Sequence, residues 1–303
     1  MRLALKKYSW RYLMILPGIL YYIIFHYIPM GGIIIAFKDY QPWLGFFDSP
    51  WTSNYGLNHF ITFFKSGMAS KLIWNTFYIS VMKLLFKFPA QILFALLLAD
   101  LTSKVFKRVI QTVSYFPYFL SWMAVIGLIG DVLSPSYGVV NKVIEAFGGE
   151  AIFFFQELNW YVPIVVISAL WKYLGWGSII YFAAIMGIDQ QLYEAAVVDG
   201  AGKIKQIIHV TIPGIYPIMT IMLILNIGEV MIVDFEQLIA LYRFLPFFNA
   251  KLQVINTYVF QSGLLSGQFS PATAIGLFTS VISLILIVGS NWFAKKVGQD
   301  GLW

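Results

Sequence analysis

The sequence predicts an all-α membrane protein with six transmembrane helices, and three observations support this class. Of the 303 residues, 59% are hydrophobic and 11% are charged, whereas soluble domains carry about 25% charged residues. Six stretches stay apolar over the roughly 20 residues that a helix needs to cross a bilayer. Aromatic residues make up 18% of the chain, and many lie near the ends of apolar stretches, as in the interfacial belts of membrane proteins.

The six predicted spans begin and end at approximate positions. They are 12–37, 72–99, 109–132, 161–188, 212–234 and 271–294. Basic residues precede the first stretch, as they precede the apolar region of a signal peptide. It is too long for such a region, however, and no cleavage site of the small-x-small kind follows before Lys38. We therefore read the first stretch as an uncleaved transmembrane helix.

The chain has no repeat of 20–50 residues and no low-complexity segment, which predicts a single transmembrane domain, 1–303. The longest segments between spans are 38–71, 133–160 and 235–270, and they are too short to fold as separate domains. We expect them to cap the outer mouth of the protein and to offer a docking surface. Kinked helices, which suit a transporter, are predicted at Pro89, Pro117, Pro163 and the glycine pair Gly175 and Gly177.

Lysine and arginine predict the side of the membrane on which each segment lies, because cytoplasmic loops carry an excess of them. Four short segments are rich in these residues: Arg2, Lys6, Lys7 and Arg11; Lys104, Lys107 and Arg108; Lys203 and Lys205; Lys295 and Lys296. The longer segments of the opposite side hold fewer: Lys38, Lys65, Lys71, Lys142, Arg243 and Lys251. We therefore expect both termini to be cytoplasmic. Because topology explains the net charge of +6, we expect no nucleic-acid partner.

Motifs of catalysis and of cofactor binding are missing from the sequence. The only Gly-Lys pair, Gly202-Lys203, is followed by isoleucine, so no phosphate-binding P-loop is present. His26, His59 and His209 lack the spacing of a zinc protease, and with no cysteine there is no thiolate metal site. We expect this chain to be no enzyme and to hold no metal or cofactor.

Several polar or ionisable side chains lie inside predicted spans, where an ionised group costs about 2.5–3.5 kcal/mol on insertion scales. They are Lys83, Lys87, Lys172, Asn226 and Glu229, with Asp234 and Glu236 near the end of the fifth span. Two interpretations stay open. These residues line an aqueous cavity, or they snorkel and form internal pairs that hold helices together. Lys83 and Lys87 are one helical turn apart and share a face, which favours a position away from lipid.

The segment between the fourth and fifth spans contains the sequence EAAVVDGAGKIKQIIHVTIP. We expect two short helices that meet at a bend. Asp189 can cap the first helix, Gly200 and Gly202 interrupt it, and a second helix begins at Lys203 and runs into the fifth span. Helices that lie on membranes are typically lysine-rich with a large apolar face, whereas small residues and acids dominate here. This composition favours docking to a protein over docking to lipid.

That segment resembles the EAA loop of permease subunits of binding-protein-dependent ABC importers. The match comprises Glu194, Ala195, Ala196 and Gly200, followed by the closing residues Val210, Thr211, Ile212 and Pro213. Valine and isoleucine replace the usual isoleucine and leucine of the closure, and Ile204 or Ile207 replaces an aromatic residue midway. Further segments resemble the LplB-type branch of this family: FHYIPMGGIIIAFKDYQPW, YFPYFLSWMAVIGLI, WKYLGWGSIIYFAAIMGIDQQLYEAA, FEQ, GQFSPATAIGLF and GLW.

The resemblance implies a type I ABC importer permease fold and multi-pass insertion in the bacterial plasma membrane. It implies four kinds of partner: a second homologous permease, two ATP-binding subunits that hold ATP and Mg, an extracytoplasmic sugar-binding lipoprotein, and an oligosaccharide substrate. In the family the EAA helix seats in a groove of the ATPase and couples hydrolysis to transport. That role carries over to Glu194, Ala195, Ala196, Asp199 and Gly200.

Sugar sites need stacking aromatics and hydrogen-bonding side chains, and the predicted spans supply both. The candidates are Trp74, Asn75, Tyr78, Lys83, Trp122, Trp171, Lys172 and Asn226. Lys83, Lys87 and Lys172 suit an acidic sugar such as a uronate oligosaccharide, unless a carboxylate pairs with them. A secondary transporter driven by an ion gradient is the alternative, but it leaves the EAA loop unexplained. A membrane scaffold or enzyme subunit predicts no continuous cavity.

Overall fold

The computed structural model describes residues 9–244, 253–299 and 301–303. The α-helices are α1 (Ser9–Tyr22), α2 (Ile28–Met30), α3 (Gly45–Asp48), α4 (Asn58–Lys65), α5 (Met68–Asp100), α6 (Lys104–Tyr115), α7 (Trp122–Val132), α8 (Val139–Ala146), α9 (Leu158–Met186), α10 (Gln190–Val198), α11 (Lys203–Gln206), α12 (Ile212–Gly228), α13 (Phe235–Tyr242), α14 (Ile255–Phe260) and α15 (Phe269–Lys296). π-helical turns occur at Ile23–Tyr27, Ile207–Thr211 and Gln261–Leu265, and 3-10 turns at Gly31–Phe37 and Phe116–Phe119. The described residues contain no strand, only an isolated bridge between Lys38 and Trp51.

The predicted all-α membrane class is confirmed. Five helical segments are long and apolar enough to cross a membrane: Trp10–Phe37, Met68–Asp100, Leu158–Met186, Lys203–Gly228 and Phe269–Lys296. The bent pair Lys104–Phe119 and Trp122–Val132 passes the same test when its halves are taken together; counted as one span it is the sixth, and it is called the third crossing here after its place in the chain. The orientation of the termini stays a prediction. Four of the basic residues behind it, Arg2, Lys6, Lys7 and Lys251, lie outside the described residues.

The third crossing differs from the single helix predicted over 109–132, because its two halves bend by 105°. Pro117 supplies no N–H for helix continuation, and Leu120 has an extended backbone, ψ 143°. Ser121 then starts α7 as an N-cap, since its hydroxyl accepts a hydrogen bond from the backbone N–H of Ala124 at 3.3 Å. The predicted kink at Pro117 is thus a complete break in the helix.

The fifth crossing begins and ends earlier than the predicted 212–234. Helix continues from Lys203 to Gly228, and the π-helical turn just before Pro213 is the kind of local adjustment that accommodates proline in spans. At Gly228 the helix packs closely against α15, where an added Cβ would lie 2.1 Å from Cγ1 of Ile287. The last six predicted residues instead form a non-helical segment that leads to α13.

The glycine pair of the fourth crossing does not end its helix, since α9 runs unbroken from Leu158 to Met186. An added Cβ on Gly175 would lie 2.2 Å from the backbone oxygen of Ser114, and one on Gly177 would lie 2.0 Å from Nε2 of Gln91. These glycines therefore permit close approach of α6 and of a side chain from α5.

The chain divides into two compact units. One contains Met1–Ala69 and Tyr258–Phe278; in it, the backbone N–H of Tyr40 donates to Oγ of Ser270 at 2.9 Å. The other contains Ser70–Thr257 and Thr279–Trp303. A larger core of this second unit joins α5, α7, α9 and α13 through residues such as Ile79, Val125, Val165, Leu238 and Leu241. A smaller core joins α5, α9 and α12 through Ile92, Ala95, Tyr181, Ile185 and Ile215.

Candidate functional site

The second unit contains a cavity of about 470 Å³, here called the lysine cavity. Small-molecule pockets fall within about 300–1,000 Å³, so this volume suits part of an oligosaccharide. The lining comes from α5, α9, α12, the non-helical segment after α12 and the break in the third crossing. Its polar and aromatic members are Ser80, Lys83, Lys87, Gln91, Tyr118, Tyr173, Trp176, Asn226, Glu229 and Asp234.

Lys83 points into a network of protein acceptors. Its ammonium pairs with the Oδ2 atom of Asp234 and donates to Oε1 of Gln237 at 3.0 Å. Gln237 is fully buried, and its Nε2 donates to the backbone oxygen of Val165 at 2.7 Å and to Oγ of Ser168 at 2.8 Å. This network joins α5, α9 and α13, and it neutralises the charge of Lys83 within the protein.

Lys87 lines the same cavity one turn further along α5 and is only partly buried. Its ammonium lies 5.8 Å from the ring centroid of Tyr173. Among the residues that the structure describes, no carboxylate oxygen lies within 4.0 Å of this ammonium. Of the two lysines that share a face of α5, one is therefore paired and the other is not.

Aromatic rings form one wall of the cavity. Tyr118 and Trp176 stack with ring centroids 4.3 Å apart and planes within 4° of each other. Tyr173 lies 6.0 Å from Tyr118 and 5.8 Å from Trp122, in tilted and edge-on geometry. Tyr118, Tyr173 and Trp176 all line the cavity, so aromatic rings share its lining with charged and amide groups.

Lys172, predicted to lie on the substrate path, is buried at the break of the third crossing. Its ammonium donates to the backbone oxygens of Tyr118, at 2.8 Å, and of Leu120. It also lies 5.3 Å from the ring centroid of Trp122, which is buried as well. A cation at a helix C-terminus satisfies free carbonyls and the local dipole. Neither Lys172 nor Trp122 lines the cavity.

The remaining predicted path residues separate into two groups. Asn226 joins Lys83 in the cavity lining, and its Nδ2 donates to the backbone oxygen of Met222 at 2.6 Å. The others lie outside the lining: Trp74, Asn75, Tyr78 and Trp171. Trp74 and Trp171 are exposed at 62% and 46%.

Five polar or aromatic lining residues were not singled out from the sequence: Ser80, Gln91, Tyr118, Tyr173 and Trp176. Two sequence signals could have found some of them. Trp176 lies between Gly175 and Gly177, which mark a point where neighbouring segments pack closely against α9. Tyr118 follows Pro117 directly, at the point where the third crossing breaks.

The segment 189–213, here called the coupling loop, has the predicted helix–bend–helix form. Oδ1 of Asp189 accepts a hydrogen bond from the backbone N–H of Gln191 at 3.0 Å and caps α10. Gly200 ends that helix with φ +74°, a left-handed conformation that favours glycine. Lys203 then starts the helix that enters the fifth crossing.

Residues of the EAA sequence face outward on α10. Glu194, Ala195, Asp199 and Gly200 are exposed, and Ala196 is partly buried. Val197 and Val198, between them, are also exposed, at 60% and 87%. A short helix with uncovered valines and acids presents a free surface on the described part of the chain.

Side-chain contacts tie this loop to the ends of two crossings. Oη of Tyr193, on α10, lies 2.9 Å from Oγ1 of Thr211, in the π-helical turn at the base of the fifth crossing. Nζ of Lys203 lies 2.6 Å from Oδ1 of Asp100, the last residue of α5. The first contact links α10 to the fifth crossing, and the second links the start of the fifth crossing to the end of α5.

Comparisons with known proteins cover nearly the whole chain. Residues 89–299 match the family of the binding-protein-dependent transport system inner membrane component. Protein LplB of Bacillus subtilis (strain 168) is 41% identical over 300 residues, which are 99% of this chain and 93% of that protein. The polygalacturonan/rhamnogalacturonan transport system permease protein YteP of the same organism is 42% identical over 303 residues, with 100% and 92% covered.

Solved structures agree with this match. A chain in the crystal structure of a bacterial alginate ABC transporter, in complex with an alginate pentasaccharide-bound periplasmic protein, superposes with a TM-score of 0.88. It is 36% identical, and the match covers 99% of this chain and 98% of that chain. The resemblance to ABC importer permeases of the LplB type is thereby confirmed. This multi-pass membrane protein belongs to the family of inner membrane components of binding-protein-dependent transport systems.

Proposed function

We propose that this chain is the translocating permease subunit of an ATP-driven importer for an oligosaccharide or polysaccharide fragment. An extracytoplasmic binding protein delivers the sugar, and a separate ATP-binding subunit hydrolyses ATP. The exposed α10 of the coupling loop, tethered to the ends of the second and fifth crossings, is the observation that carries the proposal. It provides a contact for the ATPase and a route from that contact to the cavity.

The chemistry of the lysine cavity supports a sugar as the cargo. Sugar rings stack on aromatic faces and exchange hydrogen bonds with amides, hydroxyls and charged groups. The Tyr118 and Trp176 stack offers the first kind of contact, and Ser80, Gln91 and Asn226 offer the second. The names of the relatives point the same way, since one permease serves polygalacturonan or rhamnogalacturonan and one solved transporter serves alginate.

The partners and the cycle follow from the proposed role. Two ATP-binding subunits close on ATP and move the coupling loops of this chain and of a second, homologous permease. The two permeases then alternate between an inward-facing and an outward-facing cavity. Both termini and the coupling loop lie on the cytoplasmic side in this scheme, which the excess of basic residues in short segments supports.

The test is ATPase activity and sugar uptake in proteoliposomes that contain the complete importer, purified from co-expressed neighbouring subunits. Sugar-loaded binding protein should stimulate ATP hydrolysis, and uptake should require ATP. Glu194→Ala should weaken the stimulation, because it removes an exposed acid of α10. The control is Lys104→Ala, which removes an exposed charge of α6 and leaves both α10 and the segments expected to dock the binding protein unaltered.

Three results would count against the proposal. Uptake that follows an ion gradient without ATP would indicate a secondary transporter. Equal stimulation in the Glu194→Ala variant and in the wild type would remove the assignment of the coupling surface. Full uptake after deletion of the ATP-binding subunits would exclude an ATP-driven importer.

A further inference from the structure

We propose that Lys87 selects carboxylate-bearing sugars in the lysine cavity and that its neighbour Lys83 does not. This inference rests on the proposed function, because it names the residue that distinguishes acidic from neutral saccharides on the same path. Four features of the cavity carry it: the balance of charges in its lining, the ion pair of Lys83, the lack of a carboxylate within 4.0 Å of Lys87 among the described residues, and the aromatic wall.

The ionisable residues in the lining are balanced in charge. Lys83 and Lys87 contribute two cations, and Glu229 and Asp234 contribute two carboxylates. The cavity therefore does not attract an anion through a net positive charge of its lining. Selection has to come from the placement of individual charges, since Coulomb energies fall with distance and with local dielectric.

Lys83 is already bound. Asp234 and Gln237 accept hydrogen bonds from its ammonium, and only 10% of its side chain is exposed. Gln237 is held in turn by Val165 and Ser168. A sugar carboxylate could reach Lys83 only by displacing Asp234 and leaving that acid without its cation. The role of Lys83 is therefore to hold Asp234 and Gln237 in place.

Lys87 is placed to bind an anion. Its ammonium reaches the cavity lining, has no carboxylate within 4.0 Å among the described residues, and lies 5.8 Å from the centre of the Tyr173 ring. An ammonium in an aromatic-walled cavity is partly dehydrated, and a charge-assisted hydrogen bond to a carboxylate is correspondingly strong. Lys87 is thus the cation of this cavity that a uronate can reach.

The aromatic wall gives the uronate ring an orientation. Tyr118 and Trp176 lie almost parallel and line the same cavity as Lys87. A pyranose that lies flat against an aromatic face directs its equatorial substituents sideways. The carboxyl group of a uronate, carried on C5, then lies at the edge of the ring, where the ammonium of a lysine in the same lining can meet it.

Glu229 opposes an anionic cargo. It lines the cavity, is exposed, and accepts no ion pair within 4.0 Å from a described lysine or arginine. Because like charges repel across a low-dielectric space, removal of this charge should favour acidic cargo. Substitution of Lys87 and substitution of Glu229 should therefore change the uptake of acidic sugars in opposite directions.

The experiment compares trigalacturonate with its methyl ester, which keeps the rings and linkages but removes the charge. Uptake of each is measured in proteoliposomes with the complete importer and binding protein saturated with that sugar, and the acid-to-ester ratio is reported. Lys87→Met should lower this ratio about tenfold, as expected for loss of one charge-assisted contact. Glu229→Gln should raise it. The control is Lys83→Met combined with Asp234→Asn, which removes the ion pair without changing the net charge of the lining and should lower uptake of both sugars alike.

The outcomes separate this inference from the proposed function. An unchanged ratio in Lys87→Met, with uptake that still requires ATP, would overturn the role of Lys87 and leave the importer assignment intact. A ratio that falls in the double variant of Lys83 and Asp234, and not in Lys87→Met, would assign the role to the other lysine. Wild-type import of a neutral sugar with neither galacturonate form accepted would show that the cavity does not select carboxylates. Wild-type complex without ATP-dependent uptake of any sugar would overturn the proposed function.

Discussion

Lys83 and Asp234 are 151 residues apart in the sequence and form an ion pair in the wall of the lysine cavity. The pair joins α5 to the segment between α12 and α13. Oδ1 of Asp234 also accepts a hydrogen bond from Oη of Tyr173, at 3.4 Å. The pair therefore holds these elements together and leaves Lys87 as the lysine of the lining without a carboxylate within 4.0 Å among the described residues.

Loss of either partner should destabilise the fold. Lys83→Met leaves Asp234 without its cation, and Asp234→Asn leaves a nearly buried ammonium uncompensated. Broken buried pairs cost about 3–5 kcal/mol, but 33% of the Asp234 side chain is exposed, so we expect about 2 kcal/mol from each. The double variant should lose less than the sum. Thermal unfolding of the purified complex in detergent measures all three, and additive losses would contradict the coupling.

Substitution of Lys172 should loosen the broken third crossing. Methionine fills the space but donates no hydrogen bond, so the backbone oxygens of Tyr118 and Leu120 lose their donor. Each unsatisfied buried group costs about 1–3 kcal/mol. Hydrogen exchange of the segment 116–124 should accelerate in Lys172→Met and stay unchanged in Lys71→Met, which alters an exposed lysine. Equal protection of this segment in both variants would show that Lys172 does not stabilise the break.

Local signals made the coupling loop predictable from sequence. A capping Asp189, two glycines and a proline each act on the backbone within a few residues. The apolar stretches were predictable for the same reason, because bilayer thickness imposes a length on each. The class of the protein and the helix–bend–helix loop are therefore contained in short segments of the chain.

The partners of the intramembrane charges could not be predicted in this way. Spans that are apolar on all sides carry little information about which face meets which neighbour. The acceptors of Lys83 and Lys172 come from distant segments, and three of the acceptors are backbone oxygens exposed only because a helix breaks. A lysine that pairs with Asp234 and one that faces a cavity look alike in the sequence.

Alanine at Gly175 should lower stability through a clash with backbone. The added Cβ would lie 2.2 Å from the oxygen and 2.5 Å from the carbonyl carbon of Ser114, so α6 and α9 would have to separate. Overpacking of this kind costs about 1–3 kcal/mol. Gly289→Ala is the matched control, because nothing lies within 4 Å of a Cβ there. We expect the control to be neutral or to gain up to about 1 kcal/mol in helix propensity. Equal thermal unfolding temperatures for the two variants would contradict the packing argument.

The contact between Tyr193 and Thr211 should govern how efficiently hydrolysis drives uptake. Tyr193 precedes Glu194 on α10, and the hydroxyl of Thr211 lies within the π-helical turn of the fifth crossing. Tyr193→Phe and Thr211→Val each remove one hydroxyl and keep most of the side-chain volume. We expect each to lower sugar imported per ATP hydrolysed by about two- to tenfold, the effect of losing a hydrogen bond of about 0.5–1.5 kcal/mol.

Hydrolysis itself should continue in both variants, because the exposed residues of α10 that we propose as the ATPase contact are unaltered. The double variant should lose no more than the larger single loss, since both substitutions remove the same bond. Tyr216→Phe supplies the control, as it deletes an exposed tyrosine hydroxyl from α12 a little further along the same helix. If import and hydrolysis fell in parallel in Tyr193→Phe, the contact would position α10 for ATPase binding. If the two single losses added in the double variant, the hydroxyls would act independently and the π-helical turn would not be the point where movement of α10 enters the fifth crossing.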